Sequence, residues 1–468
     1  MCRILLAFFL FAQILGAQQP TESTKAQQED PADEIGKFKK NCPFQHVLGC
    51  AEVLFTGQPL HIAVGSIAPQ NGFGAGLAFV GHKTPADSDT WRLTWSSDAV
   101  ASNNGSWRAG IYVKWVYTGM ALPVPVKGTK NREPSDFPVY KEQPVINFYA
   151  QSISLNKLTF FGLGPATSAA GRSFYGMTEH IVGASAVKPL YEKLNAGIYG
   201  EVNGRVVDIR PSLNQPSPSI EQIYTPVTAP GVNEQPFFLE LGAGVRMRPA
   251  ALNNRVHFDY DVAYRPFFAV SDSNFSFQRL TADLNQEISL YRSNMRVARD
   301  TNDPNNCRID PTSRNSSCPK MNSTSLEGTL RLRVLTSLSM TPGGNTTPFY
   351  FQPTLGGADI NGNNSLSSYQ DYRFRAPDIL LVRESFEHSI GRLPVGLAFL
   401  ADQGKLGTTI EDLGGSHWIH SYASGLTLRA GGFPQVYILF AFGGNEGTHT
   451  LVNMNTSLLG TSGRPSLF

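Results

Sequence analysis

Apolar and polar residues alternate with a period of two along most of the chain. In "FFLELGAGVRMR", Phe237, Leu239, Leu241, Ala243, Val245 and Met247 share one face, and Glu240, Gly242, Gly244, Arg246 and Arg248 the other. In "RVHFDYDVAY", Val256, Phe258, Tyr260, Val262 and Tyr264 oppose His257, Asp259, Asp261 and Ala263. "LNAGIYGEVNGRV" sets Leu194, Ala196, Ile198, Val202 and Val206 against Asn195, Glu201, Asn203 and Arg205. In "RLTADLNQEISL", Leu280, Ala282, Leu284, Ile288 and Leu290 oppose Arg279, Asp283, Asn285 and Glu287. Alternation of this kind marks β-strands whose two faces meet different surroundings.

The pattern predicts sixteen strands, at 59–66, 72–82, 90–100, 106–118, 144–154, 171–187, 193–208, 236–249, 254–270, 274–293, 328–340, 379–390, 394–404, 418–431, 435–443 and 449–460. Many run to ten residues or more. Strands of soluble proteins average roughly five or six residues, whereas a tilted strand crossing a bilayer needs about nine to eleven. The polar faces carry both charge signs and glycines, which suits a hydrated interior. The fold class expected is therefore all-β, a transmembrane antiparallel β-barrel of about sixteen strands. A large soluble sandwich with one wet face is the competing architecture.

Composition agrees. Of 468 residues, 16% are charged and 11% aromatic, with 29 Phe, 16 Tyr and 44 Gly. The formal net charge of +2 gives no reason to expect a nucleic-acid partner. The first residues, "MCRILLAFFLFAQILGAQQ", place Arg3 before an apolar core and small residues after it, which reads as a signal peptide over 1–17. Residues 18–57 read as a polar linker with a short disulfide loop, and 58–468 as the barrel. Residues 294–327 read as a long turn. Four cysteines remain after the leader: Cys42, Cys50, Cys307 and Cys318. In an oxidising compartment, pairing 42 with 50 and 307 with 318 is the economical choice among the connectivities that four cysteines allow.

Chemistry-bearing motifs are scarce. "GFGAG" (72–76) sits on a predicted strand without the helix and later acid of a dinucleotide site. His417 and His420 are three apart, on opposite faces of a strand, a poor arrangement for one metal. No cofactor, metal or enzymatic activity is expected.

One stretch is unusual. "FQPTLGGADINGNNSLSSYQDYRFR" (351–375) lies between the eleventh and twelfth predicted strands and carries aromatics and two arginines in what should be a loop. Together with "FFGLG" (160–164), "LAFLADQGKL" (397–406) and "THTLVNMNTSLLG" following "AFGGNEG", it resembles the outer-membrane assembly barrels of the BamA/TamA type, the bacterial surface-antigen superfamily. The resemblance spans roughly residues 144–460. It implies sixteen strands, a sixth outer loop folded back into the lumen, a weak seam between first and last strands, and a location in the bacterial outer membrane. It also implies insertion or translocation of other proteins there, without a cofactor. The partners implied are outer-membrane lipids, client outer-membrane proteins and, since no soluble repeat domain fits before the first predicted strand, a separate periplasmic partner. A passive pore for small solutes, with Arg246, Glu240 and Asp259 setting selectivity, is the alternative.

The family's loop motif is Val/Ile/Leu-Arg-Gly-Phe/Tyr; the matching residues here are Leu366, Ser367, Ser368 and Tyr369, so its arginine and glycine are replaced. In the family that arginine meets an Asp on strand thirteen, which matches Asp402, with Gly404 two residues on. Arg373 or Arg375 is expected to supply the missing cation, unless Asp402 faces lumen water. Tyr369, Tyr372 and Phe374 are expected against the inner wall.

Overall fold

The computed structural model describes residues 60–83, 90–117, 143–212, 218–252, 255–297, 320–391, 393–430, 433–454 and 464–467, with the side chains of 292–297, 320–325, 430, 433 and 453–454 left out. The leader, the linker and all four candidate disulfide cysteines lie outside these residues.

Sixteen long strands follow one another: β1 (Leu60–Ser66), β2 (Phe73–Lys83), β3 (Trp91–Ser102), β4 (Trp107–Tyr117), β5 (Val145–Phe160), β6 (Ser173–Tyr191), β7 (Ala196–Pro211) and β8 (Phe238–Met247). After them come β9 (Val256–Ala269), β10 (Phe277–Val297), β11 (Lys320–Met340), β12 (Asp378–Ser389), β13 (Val395–Gly407), β14 (Ile419–Ala430), β15 (Phe433–Gly444) and β16 (Gly447–Met454). Each pairs antiparallel with the next, in one continuous sheet. No ladder joins β1 to β16 among the described residues. The eight connections from odd to even strands all lie at one end of the sheet. The largest, 341–377, is the loop singled out by the sequence.

All sixteen strands overlap the predicted segments. The differences concern length. β5 runs to Phe160, and β10 and β11 have 21 residues each, so the outer parts of the predicted turn at 294–327 are strand. The β10–β11 ladder runs from Gln278–Met340 to Val297–Lys320, with one irregularity at Leu290/Tyr291.

The wall has the reverse polarity of a soluble sheet. On β8, Leu239, Leu241 and Val245 are exposed while Glu240 is buried. Ile198, Val245, Val262 and Ala282 form one row across β7 to β10 on the outward face. Phe386, Leu397, Phe399, Leu426, Leu428, Phe440 and Phe442 continue the exposed apolar surface over β12 to β15. The inward face holds ion pairs. Asp261 and Asp283 stand directly opposite each other, a repulsive placement relieved by a cation for each. Arg246 binds Asp261 at 3.0 Å, and Arg333 grips Asp283 with bonds of 2.9 and 2.7 Å.

The sheet is rolled. Residues of the loop 341–377 touch the β1–β2 connection at Pro69, the β5–β6 connection at Thr167, β14 at Ser421 and the β15–β16 connection at Glu446. One loop reaches strands near both edges and in the middle only if the wall curves around it. The architecture is an open barrel with the loop inside.

Candidate functional site

The loop enters the lumen through an aromatic turn. Thr347 to Gln352 are buried, and Phe349, Tyr350 and Phe351 are inaccessible to solvent. Phe349 meets Phe160 and Tyr175 edge-on at 5.1 and 5.2 Å, and Phe351 packs against Phe238, Phe267 and Phe277 at 4.8 to 5.7 Å. Such ring pairs add to the burial of area itself. Two arginines hold the turn's carbonyl groups. Arg375 Nη1 donates to Phe349 O at 2.7 Å and Gln352 O at 3.3 Å, and its Nη2 to the Tyr175 hydroxyl at 3.3 Å. From the wall, Arg279 Nη2 donates to Phe351 O, and its guanidinium lies over the Phe267 and Phe277 rings.

Beyond the turn, a two-residue ladder pairs Thr354–Leu355 with Phe374–Arg375, and a second pairs Gly357–Ala358 with Asn364–Ser365. Two glycines let the limbs close. Gly356 and Gly357 both have positive φ, at 96° and 59°. A Cβ on the first would come within 2.6 Å of the Arg373 Cβ, and on the second within 2.5 Å of the Asp371 backbone nitrogen. Asp359 caps the tip of the second hairpin, accepting from the backbone of Asn361 and Asn363 and from the Asn363 side chain. Burial raises its carboxyl above the usual range against those bonds.

Leu366, Ser367, Ser368 and Tyr369 form a tight turn, closed by Tyr369 N to Leu366 O at 2.9 Å, with Leu366 at φ 44°. Ser368 N donates to Ser421 Oγ on β14 at 2.8 Å. Tyr369 packs on Phe374 and over Gly444 of β15, where a Cβ would come within 2.8 Å of its ring. Gly404 of β13 does the same for Leu355 and Leu366, whose Cδ1 atoms lie 3.0 and 3.1 Å from where a Cβ would stand, closer than ordinary van der Waals contact. Tyr372, at φ 59°, donates its hydroxyl to Pro69 O at 3.1 Å. Its phenol pKa is pushed well up by burial, so it remains a donor.

Arg373 is the loop's second cationic anchor. Its three nitrogens reach Glu446, Thr167 Oγ1 at 2.8 Å and Thr167 O at 2.6 Å, and its guanidinium lies over the rings of Phe161 and Phe374 at 4.9 and 4.5 Å. The "FFGLG" stretch thus receives the loop: Phe160 and Phe161 under the two arginines, and Gly164 N donating to Arg375 O at 2.7 Å.

The expected pairing with Asp402 is not what forms. Asp402 is buried and bound in bidentate fashion by Arg383, its cross-strand neighbour on β12, at 2.6 and 2.8 Å. Arg373 and Arg375 are drawn instead to carbonyl groups and rings at the other side of the loop. A planar guanidinium next to a carboxylate on the adjacent strand needs no loop to complete it. Sequence reasoning also passed over Thr167, Ser421, Gly444 and Glu446. The consecutive aromatics of "FYF", which break the alternation, were the available signal for a buried turn.

Other charges once assigned to selectivity are paired. Glu240 is buried between Arg205 at 2.8 Å and Arg265 at 3.5 Å, and Asp259 binds Arg248 at 3.1 Å. Among the described residues, two cavities of the lumen adjoin the loop and the opposite end. One of about 230 Å³ lies under the loop, and one of about 540 Å³ lies towards the end opposite it.

No family model and no curated protein matches the sequence. Among solved structures the chain is similar to CdiB from Acinetobacter baumannii, at 10% identity over 85% of this chain and 56% of that one, with a TM-score of 0.41. It is similar to CdiB from Escherichia coli at 12% identity over 84% and 61%, with a TM-score of 0.46. It is similar to BamA from Haemophilus ducreyi lacking POTRA domains 1–3, at 9% identity over 84% and 68%, with a TM-score of 0.45. The chain thus spans 56% and 61% of the length of the two CdiB chains.

Proposed function

We propose that this chain is a bacterial outer-membrane barrel that inserts or translocates other proteins at that membrane, without a cofactor and without covalent chemistry. The reading rests above all on the loop 341–377, which is folded into the lumen and held by Arg373, Arg375 and an aromatic turn. A passive pore for solutes needs an open path, and the loop sets buried aromatics and bonded arginines across one half of the lumen. The outward apolar face of the wall supports a hydrocarbon environment, since that surface is costly in water. Among the described residues β1 and β16 stand at the two edges of the sheet, each with a partner strand on one side only. Edge strands of this kind suit a seam at which a client strand is added. Clients are then outer-membrane proteins, delivered directly or by a separate periplasmic partner.

Depletion of the protein in its host is expected to lower the levels of other outer-membrane barrels. Unchanged levels of all of them would remove the assembly reading. In planar bilayers the purified chain is expected to show brief, low openings. A steady ion-selective conductance would favour the pore.

A further inference from the structure

Residues 464–467, "RPSL", follow β16 by nine residues and lie inside the lumen. β16 runs from the loop end of the barrel towards the opposite end. Four contacts hold it. Arg464 Nη2 reaches Asp98 Oδ2 on β3 at 3.1 Å, the same oxygen that Arg108 of β4 holds at 2.9 Å. Ser466 O accepts from Arg205 Nη1 on β7 at 3.1 Å. Leu467 N donates to Asn361 Oδ1 on the loop at 2.9 Å. The Leu467 side chain is buried in the apolar cluster that also holds Tyr175, Phe351 and Tyr372.

These are the elements by which proteins recognise an extended peptide: one backbone carbonyl and one backbone N–H bonded, one charged side chain met by an opposite charge, one apolar side chain buried. The receiving groups come from three separate parts of the molecule, β3, β7 and the loop. Asp98 and Arg205 are buried in the wall. Ser466 borders both lumen cavities, so the segment stands between them. A longer chain in its place would have open space on either side.

We infer that the lumen wall and the loop tip together form a peptide-binding site, occupied here by the chain's own segment 464–467, that accepts an extended polypeptide with a basic residue three positions before an aliphatic one. This deepens the assembly reading by naming a substrate class, and rests on it for the biological source of that peptide. Peptide binding itself can be measured without it.

The test uses the full chain in detergent micelles and the synthetic peptide Gly-Arg-Pro-Ser-Leu-Phe, fluorescently labelled. In the wild type a tethered occupant competes at high effective concentration. The double variant Arg464→Glu, Leu467→Asp vacates the site and is expected to bind the peptide saturably, at least tenfold tighter than the wild type. Adding Asn361→Ala should weaken that binding severalfold. A folded double variant that binds no peptide, or binds the scrambled peptide Leu-Ser-Gly-Phe-Pro-Arg equally well, overturns the inference. If the double variant does not fold, the wild-type arrangement is read by cross-linking. With Asn361→Cys and Leu467→Cys, a 361–467 disulfide found by mass spectrometry supports the inference, and its absence under oxidation overturns it. Unchanged levels of other outer-membrane barrels on depletion, with peptide binding intact, would strike the proposed function and leave the site standing. The reverse result would do the opposite.

Discussion

The two halves of the lumen hold their charges differently. Under the loop, Arg279, Arg373 and Arg375 are buried and bonded mostly to carbonyl groups, with aromatic rings beneath them. Towards the other end, Arg246, Arg248, Arg331 and Arg333 stand in ordinary ion pairs, each part-exposed. The same residue type is therefore a structural bolt in one half and a hydrated surface charge in the other. Removing a partner from a buried charge costs several kcal/mol, whereas an exposed pair contributes little.

That contrast can be broken or sharpened by substitution, with stability followed by thermal unfolding in detergent. The largest effect is expected from Asp402→Ala, which leaves Arg383 facing the lumen without its carboxylate beneath the docked loop, at a cost of about 3 kcal/mol or more. Arg375→Ala comes next. It strips the aromatic turn of one of its two charged donors and should cost roughly 2–3 kcal/mol, with longer openings in bilayer recordings as the loop loosens. Gly404→Val inserts atoms where Leu355 and Leu366 pack and should cost about 1–3 kcal/mol; unaltered stability and conductance would show that the loop does not rest on β13. The smallest effect is expected from Arg248→Ala in the open half, below about 1 kcal/mol. If Arg248→Ala proved as damaging as Arg375→Ala, the distinction between the two halves would fail.

The wall was legible in the sequence because period-two alternation survives wherever one face meets apolar surroundings and the other water. β8 and β9 read correctly almost residue by residue. At the ends of β10 and β11 the strands were read short: Met295 and Val297 still alternate with Asn294 and Arg296, but the whole cysteine-bearing stretch 294–327 reads as one long turn. The loop's position came through only by resemblance, since its own pattern has no period. Its anchors were harder still. Arg383 and Asp402 meet through the register of two neighbouring strands, and Arg373 meets Thr167 over a separation of 206 residues. Neither relation leaves a local trace. The segment 464–467 was invisible for the same reason: four residues with no periodicity say nothing about where they dock.

The anchoring of Arg373 has a consequence for the order in which the molecule is made. Its guanidinium binds Thr167 and Glu446 together, and Glu446 belongs to the hairpin of the last two strands. The loop cannot settle until those strands exist and have been brought round beside β5 and β6. Contacts between residues so distant in sequence form slowly. Loop docking is therefore a late event of maturation, and a half-finished barrel would leave the loop accessible to proteases that spare the completed one.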